Sequence, residues 1–252
     1  MPDPENREDL SRFVVHLTRR TEDSSAVDVL AEILTTKQIS ARNAHCLFKY
    51  EFDRLNFSEC LTGALRTACF TETPLTQIRE LANPDIDRQV KLEPYGVVFS
   101  KQFLIEQGGN PAIYINSHDD DSVKQMLLRD FRNKCKNTRT FKQFKRRYLA
   151  TYEARLKYYS LINVVQPNHD FMWEREWRHT GDMRFKYFDV VAVICPSPQK
   201  LRRLAKKKMT VKQFAYLDRM PIINADWTFE DIVDEMSEKL WENARRDKIS
   251  RR

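Results

Sequence analysis

The chain has 252 residues, of which 41% are hydrophobic and 31% are charged. This length and composition supply enough apolar surface for a packed domain and exclude a chain that is disordered throughout. Glycine occurs only five times, and neither GxGxxG nor GxxxxGKS/T is present, which argues against a Rossmann dehydrogenase or a P-loop ATPase.

The net charge of +7 is concentrated in two stretches of the sequence. Residues 132–147 contain eight lysines and arginines, residues 200–212 contain seven, and neither stretch contains an acidic residue. Each stretch is typical of a solvated helix face. Each also fits a phosphate-contacting surface, because nucleic-acid affinity is largely electrostatic.

Cysteine spacing and hydropathy indicate the compartment. The five cysteines form no CxxC pair and no zinc spacing with histidine. The first nine residues are polar and acidic, unlike a signal peptide, and no apolar run approaches the roughly 20 residues that cross a bilayer. We therefore expect a soluble, cytoplasmic protein with reduced thiols and no membrane contact. We predict no metal site, and we interpret His118 with Asp119 to Asp121 as a loop and helix cap.

The first half of the chain alternates between strand-like and helix-like patterns. Period-two alternation over Arg12 to Thr18 predicts a strand with His16 and Thr18 on one face. A helix capped by Ser24 or Ser25 follows. The next predicted elements are a strand within Arg66 to Leu75, a helix to about Leu81, a strand from Tyr95 to Phe99, a helix from Lys101 to Gln107 and a strand from Ala112 to Ile115.

The second half is mostly helical in pattern. A basic helical insertion is predicted at about 119–160, where aromatic residues recur at spacings of three and four. We expect them to form a core stripe rather than a platform for stacked bases: Phe141, Phe144, Tyr148 and Tyr152. A strand ending at Pro196 and a helical tail at about 197–252 complete the chain, with Asp226 as the predicted N-cap of the last helix.

The stretch FMWEREWRHTGDMRF, residues 171–185, has two interpretations. As a helix, it would place Glu174 and Arg178 one turn apart as an ordinary ion pair. As a strand, it would place Glu174, Glu176 and Arg178 on one face. The turn-like Thr180-Gly181-Asp182 favours two strands in a hairpin, so we predict the strand.

Four segments of the sequence resemble AbiGi-type abortive-infection proteins of bacteria. They are FVVHLT with VLAEILTTKQIS, CFTETPL, YGVVFSKQFLIEQGGNPAIYIN and FMWEREWR, and they span roughly Phe13 to Arg178. The resemblance implies a role in phage defence. It also implies a neutralising antitoxin or chaperone partner for a toxic member.

A more distant resemblance is to ADP-ribosyltransferases, including DarT-like enzymes that modify nucleic acids. It rests on the His-bearing first strand, the helix after it, the hydroxyl residue of the second strand and the late Glu-x-Glu. It implies one α+β domain over residues 1–252, with a split mixed β-sheet flanked by helices, the basic insertion and the helical tail. It also implies NAD as substrate and RNA or DNA as acceptor.

The resemblance assigns roles to six residues. Glu176 would stabilise the oxocarbenium-like ribose that forms when NAD loses nicotinamide, and Glu174 would orient or deprotonate the acceptor. The contacts to NAD would come from His16, Thr18, Thr71 and Arg178. Each has a purely structural alternative: a core histidine, structural threonines, and an ion pair of Arg178 with Glu174 or Glu176. For the whole chain, the alternative is a non-enzymatic antitoxin or interaction module.

Overall fold

The computed structural model describes residues 11–83, 85, 91–116, 122–165 and 172–250. The chain is a mixed α+β protein, as predicted. Its strands are β1 Phe13–Leu17, β2 Gln38–Ile39, β3 Thr67–Thr71, β4 Gly96–Ser100, β5 Asn110–Pro111, β6 Ile113–Asn116, β7 Ile162–Val165, β8 Glu176–Thr180, β9 Met183–Arg184, β10 Val190–Ile194 and β11 Ile222–Ile223. Its α-helices are α1 Ala26–Thr36, α2 Lys49–Arg54, α3 Glu59–Ala64, α4 Ile78–Leu81, α5 Lys101–Glu106, α6 Ser122–Cys135, α7 Phe141–Tyr148, α8 Tyr152–Leu161, α9 Pro198–Lys208, α10 Val211–Arg219 and α11 Phe229–Ser250.

The chain divides into two compact units, each built from separate stretches of sequence. The first comprises residues 1–38, 72–103 and 184–252, and the second comprises residues 39–71 and 104–183. The assignment of residues 1–252 to a single ADP-ribosyltransferase-like domain stays a prediction. Among the described residues, none of the helices combines the length and the apolar composition that a membrane span requires.

The first unit is organised around four strands in the order β11-β10-β4-β1. β10 and β11 run parallel, whereas β4 is antiparallel to both β10 and β1. These strands are apolar on both faces, and β4 is buried along Gly96 to Phe99. Helices α1 and α9 pack against each other in this unit, and the helix α11 covers part of the core through Ile232.

The second unit combines a short antiparallel sheet with a helical aromatic core. Its strands pair in the order β3-β8-β5, and β6 pairs with β7 in parallel. The helical character predicted for residues 119–160 is confirmed from Ser122 onward by α6, α7 and α8, and the status of this segment as an insertion stays a prediction. The predicted aromatic stripe is confirmed: Phe144 is fully buried, and Phe141, Tyr148 and Tyr152 pack against the core of this unit.

Of the two predicted helix N-caps, one was wrong. The last helix begins at Phe229, and its first turn is capped by Thr228 rather than by Asp226, because the Asp231 N–H donates to the Thr228 hydroxyl at 3.2 Å. The other is confirmed in position, because Ser25 is the N-cap residue of α1, although no backbone N–H donates to its side chain. The interpretation of His118 and Asp119 to Asp121 falls outside the described residues.

Candidate functional site in the second unit

The segment around the two glutamates is strand only from Glu176 onward. Met172–Glu174 forms a 3₁₀ turn, and Arg175 adopts the left-handed conformation with φ of 46° before β8 begins. The prediction of one continuous strand with Glu174 and Glu176 on the same face was therefore wrong. A non-glycine residue with positive φ is uncommon and costs about 1–3 kcal/mol, so the surrounding structure must hold it in place.

The predicted hairpin across Gly181 was also wrong. β8 pairs with β3 on one side and with β5 on the other, and β9 pairs with β2. Gly181 has φ of +80° and ends β8, so the turn chemistry was recognised correctly. The strand after Gly181, β9, does not pair with β8, because a turn signal in the sequence reports only the local conformation and long-range pairing decides the order of strands in a sheet.

One face of the β3–β8 pair carries polar side chains. Residues directly opposite one another share a face, and the register places Thr71 opposite Glu176 and Cys69 opposite Arg178. Trp177, which is 9% exposed, points to the other face, opposite Phe70. The prediction that Glu176 and Arg178 share a face is confirmed.

Arg178 is the centre of this polar face. Its side chain is 1% exposed, and Nη2 donates to Glu176 Oε2 at 2.8 Å. Nη1 donates to the carbonyl oxygens of His45 and Ser160 at 2.7 and 2.8 Å. Burial alone would lower the pKa of Arg178, but the negative charge of Glu176 outweighs it and leaves that pKa raised. The guanidinium therefore stays charged, and it fixes one carboxylate oxygen of Glu176.

Tyr114 is the residue that sequence reasoning missed. It lies on β6, and its hydroxyl donates to Glu176 Oε2 at 3.0 Å. Burial raises the pKa of the Tyr114 phenol, and the charge of Glu176 raises it further, with a smaller contribution from Glu174. Both glutamates therefore lie within electrostatic reach of one phenol. The strand pattern of residues 113–116 was visible in the sequence, but nothing local indicated a contact 62 positions away.

Cys69 completes the surroundings of the Glu176 carboxylate. Burial raises the pKa of this thiol to about 12, and the neighbouring Glu176 contributes to the rise through its charge and a hydrogen bond. The Asn43 side-chain amide contacts the same sulfur at 2.9 Å. A protonated thiol acts here as a weak donor rather than as a nucleophile. Glu176 is thus held by Arg178, Tyr114 and Cys69, while 11% of its side chain remains exposed.

The other predicted site residues have clear positions. Thr71 donates its hydroxyl to the Glu174 carbonyl oxygen, which ties β3 to the turn before β8. Thr18 lies in the first unit, 3% exposed, and its hydroxyl contacts the carbonyl oxygens of Ala26 and Tyr95 at 3.0 and 3.2 Å. His16 lies on β1 of the first unit, opposite Val97 of β4. The second unit thus brings together Glu174, Glu176, Thr71 and Arg178 of the six, and the first unit holds His16 and Thr18.

Internal contacts favour structural roles for Thr18, Thr71 and Arg178. Each uses polar side-chain atoms in hydrogen bonds within its own unit. Two surface depressions lie elsewhere, one along α6 from Gln125 to Asn133 and one that includes Arg79 and Asp226. Neither includes a predicted site residue. Among the described residues, no group of three His, Cys, Asp or Glu side chains is arranged to hold a metal ion.

Comparison with known proteins returned no match to a family model, to a curated protein or to a solved structure. The assignment to the AbiGi-type family and the resemblance to ADP-ribosyltransferases therefore stay predictions from the sequence motifs.

Proposed function

We propose that the protein is an NAD-dependent ADP-ribosyltransferase that acts as a toxin in bacterial phage defence and modifies nucleic acid. The observation that carries the proposal is the fixed Glu176 carboxylate at the first residue of β8. Arg178 and Tyr114 both donate to its Oε2 atom, and part of the side chain remains exposed. A buried polar network of this kind is costly compared with an apolar core, and this cost favours a functional role for it.

Cleavage of NAD requires a negative charge beside the ribose. The bond between C1′ and the nicotinamide nitrogen breaks, nicotinamide leaves with the electron pair, and positive charge develops on the ribose. A preorganised carboxylate stabilises that charge more in the transition state than in the ground state. We assign this role to Glu176, which would also accept a hydrogen bond from the ribose 2′-hydroxyl.

The acceptor then completes the transfer. Its oxygen or nitrogen forms the new bond to C1′, and the proton it loses passes to the Glu174 carboxylate or to water. Glu174 lies in the 3₁₀ turn before β8, one residue before the left-handed Arg175, and its charge, like that of Glu176, acts on the Tyr114 phenol.

One observation supports the alternative, a non-enzymatic antitoxin or interaction module. Thr71 and Arg178 are engaged in hydrogen bonds within the second unit, which gives the network around Glu176 a structural explanation. In that case the basic helices, rather than the glutamates, would carry the function. Glu176→Gln would then leave the biological activity intact.

The test uses purified protein and NAD labelled in its ADP-ribose part. Separate reactions contain cellular RNA, cellular DNA, cellular protein or no acceptor, and label is followed in each fraction. Label in nucleic acid supports the proposal, whereas ADP-ribose in the acceptor-free reaction alone would indicate hydrolysis of NAD. A folded protein that neither transfers label nor releases nicotinamide would contradict both.

A further inference from the structure

Helix α7 presents a cluster of cations, here called the α7 basic surface: Lys142, Lys145, Arg146 and Arg147. The first three stand at positions i, i+3 and i+4 and therefore lie on the same side of the helix. The opposite side carries Phe144, which is fully buried. A capping box between Thr140 and Gln143 fixes the start of the helix, so the cations project from an anchored element.

The charges of the α7 basic surface are not neutralised locally. All four side chains are exposed, and none forms an ion pair with a carboxylate within the part of the chain that the structure describes. The sequence contains no acidic residue from Phe131 to Tyr152. By contrast, the preceding cations Arg132 and Lys134 are paired, at 2.7 and 2.9 Å.

The aromatic residues near this surface are already occupied. Phe144 and Tyr148 pack with tilted rings at 4.6 Å between centroids, and Phe141 packs edge-on against Tyr152. The Lys145 ammonium lies over the Tyr152 ring at 5.0 Å. These rings are part of the core and its border, so they do not form a platform for stacked bases.

We propose that the α7 basic surface binds the phosphate backbone of the acceptor nucleic acid without reading its sequence. Lys142 to Arg146 spans about 6 Å of helix axis, and a duplex presents one phosphate charge per roughly 1.7 Å. Three cations therefore face a comparable number of phosphates. The assignment rests on the proposed function for its biological meaning, but its test does not, because binding is measured without NAD.

Nucleic acid fits this surface better than an acidic protein does. Stable protein interfaces draw most of their affinity from buried aromatic and apolar anchors, and exposed charges at the rim contribute little. Phosphate contacts, in contrast, supply most of the non-specific affinity for nucleic acids. The exposed side of α7 from Lys142 to Arg146 consists of charged and amide side chains.

Helix α9 offers a matched control in the first unit. Arg203, Lys206 and Lys207 repeat the same i, i+3, i+4 spacing and the same charge. Acidic side chains surround this helix, since Lys208 pairs with Glu32 at 3.2 Å and Arg202 approaches Asp218 at 3.9 Å. Nearby carboxylates weaken the field of α9, so we expect α7 to dominate binding.

The experiment compares two triple variants with the unmodified chain: Lys142→Gln/Lys145→Gln/Arg146→Gln on α7 and Arg203→Gln/Lys206→Gln/Lys207→Gln on α9. Fluorescence anisotropy measures binding to labelled 20-nucleotide single-stranded RNA, single-stranded DNA and duplex DNA of two unrelated sequences, over a salt series. Loss of three phosphate contacts predicts binding to single strands about 100-fold weaker at 0.1 M salt, and a salt slope smaller by about 2. The α9 variant should bind within about threefold of the unmodified chain.

Several results would overturn the assignment. They are equal losses in both triple variants, no loss in the α7 variant, a strong preference between the two sequences, or equally tight binding of poly-glutamate that the α7 variant abolishes. Thermal unfolding of each variant checks that it remains folded. An unmodified chain that binds nucleic acid through α7 but neither transfers ADP-ribose nor releases nicotinamide would contradict the proposed function alone.

Discussion

Replacement of Arg178 by methionine should destabilise the second unit strongly. Methionine keeps the apolar part of the side chain but removes the three hydrogen bonds to Glu176, His45 and Ser160. It leaves the Glu176 carboxylate, only 11% exposed, without its counter-charge. Removal of one partner from a buried ion pair costs about 3–5 kcal/mol. Typical domains are stable by about 5–15 kcal/mol, so a large share of the stability would be lost.

A double-mutant cycle separates the ion pair from the packing. Glu176→Gln keeps the shape but leaves the Arg178 guanidinium, 1% exposed, without its counter-charge, so it should also cost about 3–5 kcal/mol. In the double variant no unpaired carboxylate remains, so its cost should fall below the sum of the single costs by about 1–2 kcal/mol.

Urea unfolding followed by fluorescence measures all four proteins. Arg155→Met is the control, because Arg155 lies over the Tyr148 ring in the same unit at 5.7 Å and is only half-buried. We expect it to cost less than about 1 kcal/mol. Strict additivity in the cycle, or a cost for Arg178→Met as small as that of the control, would refute the described network.

Three further measurements test the fold. Iodoacetamide should modify the exposed Cys60 rapidly and the half-buried Cys69 slowly, because desolvation raises the pKa of the Cys69 thiol to about 12. Mass spectrometry that finds equal rates would contradict the raised pKa of Cys69. Gly63→Ala should stabilise helix α3 by about 0.5–1 kcal/mol, since nothing lies within 4 Å of the added methyl group. Gly96→Ala should destabilise the protein, since its methyl group would lie 2.6 Å from the His16 carbonyl oxygen. Thermal unfolding compares the two variants, and equal shifts in their unfolding temperatures would argue against the β1–β4 register. Burial alone would raise the pKa of Glu51, but hydrogen bonds from Arg132 and Arg54 outweigh it and lower that pKa, so the ionised carboxylate stabilises the fold above the pKa of the unfolded chain and loses this effect as pH falls through the pKa of the folded chain. In urea unfolding, Glu51→Gln should cost about 1–3 kcal/mol at pH 7 and progressively less below about pH 4, and a pH-independent cost would contradict this.

Local patterns predicted the secondary structure well where one element decides its own conformation. The first strand, the Lys101 helix and the aromatic stripe all follow from periodicity within a few residues. Period-two alternation and helical spacing are properties of a short segment. They were therefore readable without knowledge of any partner.

The candidate site depended on long-range pairing and was only partly predictable. Glu176 and Arg178 were placed on one face correctly because both lie in β8. Glu174 was misplaced, because the left-handed Arg175 interrupts the strand and no sequence rule for arginine predicts positive φ. Tyr114 was missed because its contact with Glu176 joins two strands far apart in sequence.

The central claim is that the Glu176 carboxylate promotes loss of nicotinamide from NAD, and the release of nicotinamide by matched variants tests it most directly. Glu176→Gln removes the charge, and Glu59→Gln makes the same change at an exposed position on α3 of the same unit. If the claim is correct, the unmodified protein and Glu59→Gln release nicotinamide at similar rates, and Glu176→Gln is slower by at least about 100-fold, comparable to loss of one electrostatic group in other active sites. Release by a folded Glu176→Gln protein at the unmodified rate would contradict it.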